Sequence, residues 1–145
     1  MQSPTKEENQ LVMSAPNTTG QELTSSEVAP STLGEYCGFF DETDHAVIEF
    51  RSGGQTTVLP HVVVHSVRGF GWGYVGNGPS DAALAIVRHA LRQSVDSPAS
   101  RDTAAMALYR SFAVDVVVPM EANAPFALSE VTVREWLKDH PMKHA

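Results

Sequence analysis

Five glycines and three aromatics alternate in one stretch of this chain, Gly69-Phe70-Gly71-Trp72-Gly73-Tyr74-Val75-Gly76-Asn77-Gly78-Pro79. Glycine carries the largest backbone entropy of any residue, so such a density marks a boundary between elements. Hydrophobic spacing differs on its two sides. Before it, aromatic and β-branched stretches are short and separated by turn residues. Glu35–Phe40 reads as a strand, Asp41-Glu42-Thr43-Asp44 as a turn, and His45–Arg51 as a second strand. Ser52-Gly53-Gly54-Gln55 turns again into Thr56–Leu59, and Val62-Val63-Val64 follows Pro60. After residue 78 the period becomes 3.6. Over Ser80–Val95, Leu84, Val87, Leu91 and Val95 form an apolar stripe, with Asp81, Arg88 and Arg92 on another face. Asp96–Ser100 breaks the pattern, and Ala105, Leu108, Tyr109, Phe112 and Val116 continue it until Pro119. Residues 120–127 read as a loop. Ser129 is placed as the N-cap of a last helix that buries Val133, Trp136 and Leu137, with Leu128 and Val133 set for a hydrophobic staple. Strands then helices predict an α+β fold, a small antiparallel sheet of about three strands on about three helices.

Residues 1–33 hold no aromatic and are rich in Ser, Thr, Pro, Asn, Gln and Glu, which predicts a disordered tail ahead of a single domain at 34–145. Across 145 residues, 17 acids against 10 bases leave a net charge of −7. A nucleic-acid binder needs the opposite balance, so no direct nucleic-acid contact is expected. The single cysteine, Cys37, excludes an intrachain disulfide and a cysteine-rich zinc site. No apolar run reaches the length of a membrane span, and the N-terminus lacks the basic-then-apolar order of a signal peptide. No membrane contact and a cytoplasmic location are the expectations.

The glycine-aromatic loop is the first candidate site. It leads into a helix with Pro79 near its first position. Amide groups around Gly76, Asn77 and Gly78 would face an anion at the helix start, and Trp72 or Tyr74 would stack on a planar ligand. Gly71-x-Gly73-x-x-Gly76 has dinucleotide spacing, but the helix begins too late and the expected acidic partner is missing. The Gly-Lys-Ser/Thr ending of a phosphate loop is also missing. Asp81, placed in the first helical turn, already uses the positive dipole end. The plainer reading is a tight strand-to-helix connection whose aromatics pack on the sheet.

The string Gly69-Phe70-x-Trp72-Gly73-Tyr74-x-Gly76-x-Gly78-Pro79, followed by Ala83-Leu84-Ala85-Ile86, resembles a bacterial family of small proteins of unknown function. The likeness continues through Leu108-Tyr109-x-x-Phe112 and Arg134-Glu135-Trp136-Leu137. Members are common in phages, plasmids and integrative elements, so the resemblance implies a mobile-element accessory protein. It implies no catalytic residue.

His61 and His65 are four apart and would share one face of a strand, but spacing offers no third zinc ligand. His140 and His144 lie near the terminus, and His89 falls beside the polar face of the first helix. These histidines read as satisfied or surface groups, with no metal or cofactor expected. Cys37 is expected to be buried and inert. Arg88 and Arg92, one helical turn apart, would clamp a carboxylate or phosphate, or simply pair with acids in the fold. Asp41, Glu42 and Asp44 form an acidic block that would meet a basic surface on a partner. Three functions follow from these residues. The leading one is a non-enzymatic accessory protein that binds a host or element protein, as an inhibitor of a defence or replication component. The second is a small-ligand or nucleotide-binding domain using residues 69–79. The third, an enzyme acting on a phosphorylated ligand through His61, His65 or Arg88, has the least support.

Overall fold

The computed structural model describes residues 34–62 and 64–141. The predicted tail at 1–33, Val63 and His144 lie outside them. The turn-separated stretches form the first three strands, β1 (Glu35–Phe40), β2 (Ala46–Ser52) and β3 (Gln55–Val58). A fourth, β4 (Phe126–Ser129), joins β1 on its far side, giving an antiparallel sheet of order β3-β2-β1-β4. The sequence predicted a loop at 120–127 and about three strands, so β4 is an addition. Its pairing sets Tyr36 opposite Leu128 and Gly38 opposite Phe126. The Phe126 ring occupies the space that a side chain at position 38 would need. Register therefore places Tyr36, Ile48 and Phe50 on one face with Phe40, Ala46, Phe126 and Leu128, and all pack into the core. Both edge strands are four residues long, which limits the exposed ladder.

Three helices cover that face. Helix α1 (Asn77–Ala90) runs on into a 3₁₀ turn at Leu91–Gln93. Helix α2 (Pro98–Phe112) continues as a π-helical turn at Ala113–Val117, and α3 (Glu130–Asp139) follows β4 directly. Each start has a local cause. Ser97 caps α2 by accepting from the Ser100 amide at 3.0 Å, with Pro98 at the first position. Ser129 caps α3, as its sequence predicts, accepting from the Val131 amide at 3.1 Å. Helix α1 differs from expectation: it starts at Asn77, three residues before Ser80. Asp81 is thus beyond the first turn, and its buried carboxylate points at the segment before the glycine loop rather than at the helix dipole. The run Ala82-Ala83-Leu84-Ala85-Ile86 explains this placement. Small side chains let α1 sit between the sheet and α2, where Asp81, Ala83, Ile86 and Val87 are all fully or almost fully buried.

The expected β-branched strand after Pro60 is irregular at residues 61, 62 and 64. Among the described residues, no helix is long and apolar enough to cross a membrane.

Candidate functional site

The glycine-aromatic loop is built around its own aromatics. Trp72 is 1% exposed, lies edge-on to Phe126 and tilted against Phe40, and donates Nε1–H to the Ala124 carbonyl at 2.7 Å. Its indole is enclosed by the core. Tyr74 remains half exposed, with its ring laid across Gly71, Gly76 and Gly78, so a β-carbon at any of these would press on it. Gly73 has φ +85°, and a side chain there would strike the Ala122 backbone. Its amide donates to the Val117 carbonyl, which the π-helical turn presents. Asn77 is exposed and Gly78 buried.

A different concavity lies between α1 and the amino half of α2, with a volume of about 440 Å³. Leu84, Ala85, Arg88 and His89 reach it from α1, and Arg92 from the 3₁₀ turn. Pro98, Arg101, Asp102 and Met106 line it from α2, and Leu59, Pro60, Val62 and Val64 close the third side. The structure thus brings Arg88 and Arg92 together as sequence spacing suggests, and separates them from the loop: no residue of 69–79 lines this groove.

Two buried polar networks meet at its walls. In the first, Asp81 accepts from His61 Nε2 at 2.8 Å, from His65 Nδ1 at 2.9 Å, and from the backbone amides of His65 and Ser66 at 3.1 and 3.0 Å. Burial raises the pKa of this carboxyl, but the histidines and amides outweigh it and hold the group below the ordinary aspartate value. With Nδ1–H donating to Asp81, His65 Nε2 is the acceptor for the Tyr109 hydroxyl, 2.8 Å away. Arg110 Nε in turn donates to that hydroxyl oxygen at 3.1 Å. Residues 61 and 64–66 are pinned to α1 and α2 by this chain rather than by a strand ladder.

In the second network Tyr36 Oη lies 2.9 Å from His89 Nδ1, with Arg92 Nη1 at 3.3 Å from the same nitrogen. Arginine can only donate, and burial pushes the Tyr36 pKa up, keeping its proton in place. His89 Nδ1 must therefore be the acceptor, and the proton of the neutral ring sits on Nε2. Burial, with Arg92 beside it, lowers the His89 pKa to about 4, so the ring is neutral near pH 7. Nε2–H has no partner among the described residues. Arg92 also lies over the Phe50 ring at 4.7 Å and donates to Glu130 at 3.0 Å. Glu130, fully buried, accepts further from Arg134 and from the Gly34 amide. Burial again raises and these donors lower its pKa, to a net value below the ordinary one.

Sequence reasoning missed Asp81 and Glu130 as hubs. The signal for Asp81 was partial: a carboxylate once buried needs donors, and His61 and His65 stand within 20 residues before it to supply them. The acidic turn is exposed. Asp41 Oδ1 accepts from the Thr43 amide and hydroxyl and from the His45 amide, and Asp44 takes φ 67°. Cys37 is buried, and burial pushes its thiol pKa up. Among the described residues no cluster of three or more His, Cys, Asp or Glu side chains is arranged to hold a metal ion.

Residues 36–139 match a family described as a family of unknown function, DUF6166. The chain belongs to this family. No curated protein and no solved structure matches it. The matched span of this DUF6166 chain begins in β1 and ends in α3, so the groove, the glycine-aromatic loop and every side chain of both networks fall inside it.

Proposed function

We propose that this chain is a binding protein whose ligand seat is the groove between α1 and α2. One observation carries the reading: a concavity of about 440 Å³ walled by aliphatic side chains with a few convergent polar groups. That volume and lining are those of a small-molecule site. The reading moves ligand binding away from residues 69–79, where Trp72 is enclosed and the glycines accommodate Tyr74. The test is to replace Ala85, on the groove wall, by Trp. Fragments that bind the parent chain in ligand-observed NMR should lose binding to Ala85→Trp while the variant stays folded by circular dichroism. Fragments that bind both proteins equally would exclude the groove as the seat.

A second reading concerns a macromolecular partner. The resemblance seen in the sequence supports a mobile-element setting, with the chain as an accessory protein that binds a host or element protein. The exposed block Asp41, Glu42 and Asp44 favours a partner with a basic surface.

A further inference from the structure

We propose that the groove takes a small molecule with an aliphatic body and an anionic head, the head seated between Arg88 and Arg101. The proposal rests on the groove being the ligand seat, and adds what kind of ligand it holds. The walls decide the body. Leu84, Val62, Val64 and Met106 are aliphatic or thioether surfaces, and the sole aromatic ring among the lining residues is the His89 imidazole. A nucleobase would find no Phe, Tyr or Trp platform there, whereas an alkyl chain would find contact on each side.

The arginines decide the head. Arg101 donates Nε–H to the Val95 carbonyl at 2.7 Å and an Nη–H to the Asp96 carbonyl at 3.0 Å. Both acceptors are neutral, so this guanidinium has no carboxylate partner among the described residues. Arg88 pairs with Asp102 through Nε, leaving both of its Nη groups with donors to spare. Helix α2 begins beside them with no acid in its first turn, which adds its positive end to the same corner. Two acids stand on the wall: Asp81 is already saturated by histidine and backbone donors, and Asp102 is engaged by Arg88 Nε. His89 Nε2–H supplies one more donor without a partner. Guanidinium groups with free N–H match the oxygens of a carboxylate or a phosphate monoester, and the two heads share this chemistry.

The experiment titrates the full chain, isotopically labelled, with octanoate, octyl phosphate and octan-1-ol, following the amides of Leu84, Ala85 and Arg101. Both anions should bind, and octanol about tenfold or more weakly, since hydrogen bonds to charged groups are the strong ones. Whichever anion binds tighter names the head. The double variant Arg88→Gln, Arg101→Gln should erase the preference, and Arg88→Lys, Arg101→Lys should retain most of it. Equal affinity for all three probes in the parent chain would overturn the anionic head and leave the groove standing as a site. Absence of binding by all three probes, in a chain whose groove still takes neutral fragments, would likewise overturn this proposal alone. If fragments also fail, both readings fall.

Discussion

His89 is a neutral base because it is buried with the Arg92 charge beside it, and that has a consequence for stability in mild acid. Its folded pKa, about 4, lies below the ordinary 6.5. Above 6.5 the folded and unfolded chains are both neutral at this site. Between 6.5 and 4 the unfolded chain takes the proton and the folded one does not, so stability is lost as pH falls through that window. At pH 5 the loss from this one group reaches up to about 2 kcal/mol. An asparagine at position 89 keeps an acceptor for the Tyr36 hydroxyl without titrating. Urea midpoints at pH 7 and pH 5 should therefore fall further for the parent than for His89→Asn. Equal falls would mean that His89 titrates at its ordinary value. Part of this environment is legible in the sequence. Arg92 is three residues on, within one helical turn, whereas Tyr36 lies 53 residues away and is brought by the sheet.

Elements whose cause is local were readable and those whose cause is distant were not. Turn-separated aromatic and β-branched stretches and the Ser129 cap need only neighbours, so β1, β2, the start of α3 and the α+β class follow from them, whereas Asp96–Ser100 reads as a break and in fact holds the cap and first residues of α2. Strand β4 needs Gly38, whose missing side chain makes room for Phe126. The start of α1 was hidden by Gly76-Asn77-Gly78-Pro79, which reads as a break until Tyr74 is seen lying over those glycines. Residues 61 and 64–66 show the same divide, since one carboxylate on α1 holds them. Asp81→Asn replaces one acceptor oxygen with an NH₂ facing N–H donors. The amides of His65 and Ser66 should then exchange with deuterium at least tenfold faster, while those of β1 and β2 keep their protection. Unchanged exchange at 65 and 66 would show that the segment is held by its apolar contacts instead.

At the scale of the whole molecule, the net charge of −7 is a long-range field that a basic partner feels before contact. The turn at Asp41, Glu42 and Asp44 concentrates part of it. Asn at 41 keeps the acceptor for Thr43 and His45, and Asn tolerates the φ of 67° at position 44, so neutralisation leaves the turn intact. With a partner captured from host lysate, the triple variant Asp41→Asn, Glu42→Gln, Asp44→Asn should associate severalfold more slowly at low salt. Dissociation and the thermal midpoint should hardly move. The difference should vanish as screening shortens to roughly 8 Å near physiological salt. Equal association rates at every salt concentration would remove this turn as the steering element. The pairing of β1 with β4 bears on a different process, synthesis. Phe126 is made 88 residues after Gly38, its partner in the register. At roughly 5–20 residues per second, a ribosome spends several seconds with β1, β2 and β3 already released and one flank of β1 unpaired. During that interval the nascent sheet offers an open hydrogen-bonding edge to any extended chain nearby, and only the arrival of β4 closes it.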